Sequence, residues 1–118
     1  MRLWVRRGAI PYKSRTDVDL MCLARHGNTE AFDELVLRYR DRIYAMARDL
    51  LVRDEHVVDA VREAFVSAYR EMMAADPRGA GGKDPGANPG RWFHRHAVRA
   101  VLSRVVQERT TADAAARS

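Results

Sequence analysis

Apolar residues recur along this chain at helical spacing in four stretches, and no segment alternates as a half-buried strand would. The first stretch is short, with Val18, Leu20, Met21, Leu23 and Ala24 lying between Thr16 and Gly27. Thr16 with Asp19 three residues on is a start signal, and Gly27 is a stop signal. A longer stripe follows through Phe32, Leu35, Val36, Tyr39, Ile43, Met46, Ala47, Leu50 and Leu51. Asn28 or Thr29 stands ready to cap it, and Glu30 in the first turn complements the helix dipole. The spacing predicts a helix to about Val52, roughly 37 Å long at the usual rise. Asp54 reads as the next cap, and Val57, Val58, Val61, Phe65, Ala68, Tyr69 and Met72 predict a third helix to about Ala75.

The pattern then breaks. Asp76–Gly90 holds all but one of the four prolines and five of the seven glycines, which predicts a flexible loop. From Arg91 the helical period returns through Trp92, Phe93, His96, Ala97, Ala100, Val101 and Val105. After Gln107 the chain is mostly Ala, Thr and Arg, and fraying is expected. The expected fold is all-α, a compact four-helix domain over residues 16–108 with a long Gly/Pro-rich loop before the last helix. A basic arm, 1–15, precedes it, and a disordered tail, 109–118, follows.

A length of 118 residues fits one domain, and 47% hydrophobic residues suffice for a core. Lys and Arg outnumber Asp and Glu by 21 to 16, for a net charge of +5. The surplus lies in the arm (Arg2, Arg6, Arg7, Lys13 and Arg15) and in the C-terminal third, a distribution that suits a polyanion partner. A merely soluble basic surface would look the same. Cys22 is the lone cysteine, so no intrachain disulfide forms, and its apolar helical setting predicts a buried thiol. No run approaches the roughly 18 apolar residues of a membrane span, and no apolar segment follows the N-terminal arginines as in a secretory signal. The cytoplasm is the expected compartment.

Catalytic patterns are absent. Gly79, Gly81 and Gly82 follow no strand, so they form no phosphate loop. His94 and His96, two apart, fall on different helix faces. No catalytic residue, metal site or cofactor is expected. Two surfaces stand out instead. Glu55, Asp59 and Glu63 make an acidic row at i, i+4 and i+8 on the third helix, either a contact face or simply a solvated one. Arg91, Arg95 and Arg99 make a basic row on the last helix beside Trp92 and Phe93. Arginines beside aromatics can hold a phosphate backbone while stacking unpaired bases, unless the aromatics belong to the core.

The ordered set of these residues resembles bacterial sigma factors of the extracytoplasmic-function (ECF) type, in the sigma-70 family. Asp19 to Asn28 followed by Ala31-Phe32-Asp33-Glu34-Leu35-Val36 and Tyr39 is similar to the family's opening string. The likeness continues through Asp54-Glu55, Asp59 to Phe65 and Ala68-Tyr69, and resumes at Trp92-Phe93 and Ala97. The resemblance implies sigma region 2, a domain that binds core RNA polymerase and promoter DNA in transcription initiation. It implies that the third helix docks on the clamp helices of the polymerase beta-prime subunit through Glu55, Asp59, Arg62 and Glu63. It implies that Arg91, Trp92, Arg95 and Arg99 face promoter DNA, on the non-template strand. The chain departs from the family at Arg62, where Gln is usual, near Arg99, where Asn is usual, and near Ser103, where Asp is usual. The loop 76–90 is also longer, and these 118 residues do not include the family's helix-turn-helix domain, as expected of either a fragment of a longer factor or a naturally short one. An alternative expectation keeps the scaffold as an interaction module that binds an anti-sigma factor or other regulator without reading promoters.

Overall fold

The computed structural model describes residues 11–74 and 88–117. A 3-10 turn at Tyr12–Ser14 leads into α1 (Asp17–Arg25), α2 (Thr29–Leu50), α3 (Asp54–Ala74) and α4 (Pro89–Arg117), and no strand occurs among the described residues. The all-α, four-helix expectation is therefore met. Most of the expected loop lies outside the described residues, as do Arg2, Arg6 and Arg7 of the arm.

The helix starts follow local chemistry. The Thr16 hydroxyl accepts from the Asp19 amide at 3.1 Å, and Asn28 Oδ1 accepts from the Ala31 amide at 3.0 Å. Gly27, with φ of 99°, supplies the left-handed residue that ends α1. α4 begins two residues earlier than the apolar spacing alone indicates. Pro89 takes the first helical position, where a missing N–H costs nothing, and Asn88 Oδ1 accepts from the Arg91 amide at 3.0 Å.

Asp54 is not the cap of α3 but lies in its first turn. The Arg53 carbonyl accepts the first helical amides, from His56 and Val57. The two amides that precede α3 find a distant partner. Glu108 of α4 accepts from Val52 N and Arg53 N, both at 3.0 Å, and its Oε2 lies 2.7 Å from His56 Nδ1. This tertiary cap satisfies donors that a helix start otherwise leaves to water. α4 runs on to Arg117, through the residues where fraying is expected, and residues 109–117 are exposed.

The core is aromatic at its centre. Phe93, 1% exposed, packs with ring centroids 5.0–5.9 Å from Trp92, Phe65, Tyr39 and Phe32, so one ring ties α2, α3 and α4 together. Leu20, Met21 and Ala24 seat α1, and Ala60, Ala64, Ala68, Ala97 and Ala100 let α3 and α4 approach closely. Four expectations from the apolar pattern are corrected, one of them at Val18, which is 51% exposed. Cys22 is exposed, because α1 turns Leu20, Met21 and Ala24 inward and Cys22 out. Leu50 and Val58 are likewise exposed, at the edges of their stripes.

Polar contacts bind the start of the described chain to α2. Arg38 donates to Asp17 at 2.8 Å, to Glu34 at 3.2 Å and to the carbonyls of Tyr12 and Lys13 at 2.9 and 3.1 Å. The Tyr39 hydroxyl donates to Asp17, and burial together with that carboxylate pushes its pKa up to about 12. Residues 12–15, expected as part of a basic arm, are thus held against the helical body, with Lys13 and Arg15 exposed.

Candidate functional site

The structure leaves two helix faces open to solvent. On α3, Glu55, Asp59, Arg62 and Glu63 are all exposed, as a period of 3.6 requires when Val57, Ala60, Val61 and Ala64 point inward. They differ in what they already hold. Glu55 accepts from Arg53 Nε at 3.1 Å; its own amide at the helix start and that guanidinium hold its carboxyl below the usual range. Glu63 pairs with Arg104 of α4 at 3.0 Å. Asp59 and Arg62 have no side-chain partner among the described residues. The face therefore offers one free carboxylate and one free guanidinium, flanked by two carboxylates already engaged.

On α4, Arg91 and Arg99 are exposed and Arg95 is half-buried. The aromatic neighbours belong elsewhere. Trp92 is 2% exposed and donates its indole N–H to Glu71 Oε2 at 2.7 Å. A ring so placed cannot stack on an unpaired base, and the expectation of Trp92 as a nucleic-acid contact is corrected to a core residue that seats the basic row. Phe93 is buried with it.

A polar cluster joins the end of α3 to the start of α4. Besides Trp92, Glu71 Oε2 accepts from Arg95 Nη2 at 3.2 Å, and Glu71 Oε1 lies 3.4 Å from His96 Nε2. His96 Nδ1 meets Ser67 Oγ at 2.9 Å, while its buried Nε2 makes no hydrogen bond. Burial lowers the His96 pKa, only partly opposed by Glu71, so the ring is neutral near pH 7. Burial also pushes the Glu71 carboxyl up, but Trp92, His96 and Arg95 outweigh it and hold the net value below the usual range.

Beside the row runs a groove of about 470 Å³ between α2 and α4. Tyr39, Ile43, Met46 and Phe93 form its apolar wall, and Arg42, Arg91 and His94 bring polar groups to it. Gly90 lets the wall close up, since a Cβ there would stand 3.1 Å from the Tyr39 hydroxyl. The Arg42 guanidinium lies over the Tyr39 ring, 5.5 Å from its centroid. Sequence spacing misses Arg42 and His94 because they belong to no row; Arg42 follows Tyr39 by three, which marks it only as a rim residue of the α2 stripe. Among the described residues no cluster could hold a metal ion, and no helix is long and apolar enough to cross a membrane.

No family model matches the chain, and no solved structure matches it. Over 91 residues, 77% of its length, the chain is 32% identical to the ECF RNA polymerase sigma factor SigM of Mycobacterium tuberculosis strain H37Rv. It is 31% identical over 91 residues to the protein of the same name from strain Erdman. The chain spans 42% of the length of each of these relatives, less than half. These matches support a relationship between this chain and the ECF sigma factors.

Proposed function

We propose that the chain is a region 2 domain of an ECF-type sigma factor, binding core RNA polymerase and promoter DNA in transcription initiation. The observation that carries this reading is the similarity to ECF sigma factors over 91 residues of an all-helical chain. In this reading α3 docks on the polymerase clamp helices. Asp59 and Arg62 are free to pair with a partner, and Glu55 and Glu63 add charge around them. Opposite charges of this kind steer encounter and fix register more than they add affinity.

Promoter DNA falls to α4 and the adjoining groove. Arg91, Arg95 and Arg99 recur on one side of the helix, and Arg91 is shared between that row and the groove. Guanidinium groups suit a phosphate backbone, and an apolar wall edged by cations suits an unstacked base. Arg42 and His94 join this set, while Trp92 supports it from within.

The reading predicts that the chain binds a single-stranded promoter oligonucleotide and that affinity falls steeply as salt rises. Replacing Arg91 and Arg99 together by Ala should flatten the log–log salt slope by about 1.4, from about 0.7 per lost phosphate contact on a single strand. Fluorescence anisotropy at several salt concentrations measures this. An unchanged slope would remove α4 from the nucleic-acid interface.

A further inference from the structure

We infer that Glu71 acts as a charge brake on the basic row of α4, occupying Arg95 and so holding back part of the row's pull on a polyanion. The inference rests on the reading that this row meets a polyanion.

The carboxylate is fixed where it stands. A buried indole N–H needs an acceptor, and Glu71 Oε2 is the one Trp92 has, at 2.7 Å. That bond places a negative charge against the middle of the row. Arg95 meets the same oxygen through a single N–H at 3.2 Å, whereas Arg91 and Arg99 have no carboxylate partner among the described residues. Glu71 is ionised, its carboxyl held low beside the Trp92 N–H, the Arg95 guanidinium and His96. Three arginines in the row therefore present about two free charges. While Glu71 holds Arg95, that guanidinium makes no phosphate contact, and the counterion such a contact would release from the strand stays bound.

Glu71→Gln tests this directly, because glutamine keeps an oxygen for the Trp92 N–H and removes the charge. Two probes are used with the full chain: a heparin column, and a single-stranded oligonucleotide titrated at several salt concentrations. The brake predicts that Glu71→Gln elutes from heparin at higher salt than the parent. It also predicts several-fold tighter oligonucleotide binding, with a salt slope steeper by about 0.7. Adding Arg95→Ala to Glu71→Gln should abolish both gains. Weaker or equal retention on heparin, in a variant whose near-ultraviolet dichroism matches the parent, overturns the brake. So does a gain that survives Arg95→Ala. A second measurement does not depend on how Glu71→Gln folds. In the parent background Arg95→Gln should cost less retention than Arg91→Gln or Arg99→Gln, and an equal or larger cost overturns the inference. If the parent binds heparin but not the oligonucleotide, the promoter-DNA reading fails while the brake is still decided on heparin.

Discussion

Phe93 and Glu108 show how single side chains set this fold in opposite ways. Phe93 acts by volume, as the ring that α2 and α3 both close upon. Phe93→Ala leaves a cavity at the junction of three helices and should cost about 3–5 kcal/mol. Urea denaturation followed by circular dichroism would read that loss, and a cost under 1 kcal/mol would contradict the packing described. Glu108 acts by charge. Its carboxyl is held below the usual range first by the backbone amides of Val52 and Arg53 and then by His56. A depressed folded-state pKa contributes stability that is present above the unfolded carboxylate value, near 4.3, and lost as pH falls through the lower folded value. Glu108→Gln should lower the melting temperature at pH 7 by a few degrees. The difference from the parent should shrink as pH drops below about 4, where the parent's carboxylate protonates too.

At the level of elements, the helices were legible in the sequence and their couplings were not. Period 3.6 in the apolar residues, with Thr16, Asn28 and Gly27 as punctuation, is a local signal, so α1, α2 and most of α3 could be drawn in advance. The cap of α3 could not. Asp54 has the right side chain for that role, but the donors are served by Glu108, more than fifty residues away, and no local pattern encodes such a contact. The start of α4 shows a different lapse: Asn88-Pro89 is a local start signal, obscured by its place at the end of a Gly/Pro-rich stretch. Cys22 fails because a short stripe fixes the helix register poorly. A truncation pair separates the two halves of distal α4. Ending the chain after Arg109 removes, among the described residues, only exposed ones and should leave the melting temperature within about a degree. Ending it after Gln107 also removes Glu108 and should reproduce the loss expected for Glu108→Gln or exceed it.

For the whole molecule, two faces serve two partners in the account proposed here, and the core between them is shared. Trp92 illustrates why the candidate site was only partly readable. In the sequence it stands beside the basic row and invites a stacking role, yet burial assigns it to the core and leaves the row to the arginines. Arg42 and His94 join the site only because α2 and α4 pack side by side, a juxtaposition that exists in three dimensions and in no spacing rule. Glu55, Asp59, Arg62 and Glu63, by contrast, are surface residues as their helical period foretells. The structure adds which are free: Glu63 is engaged by Arg104 and Glu55 by Arg53.

That difference makes Asp59 the sharpest probe of polymerase docking by α3. Binding of the purified chain to bacterial core RNA polymerase should be measured beside Asp59→Arg, a change at an exposed residue that has no partner to lose among the described residues. The parent should bind, and the variant should bind at least tenfold more weakly with its melting temperature unchanged. Failure of the parent to bind, or equal binding by Asp59→Arg, would contradict a polymerase-docking role for α3.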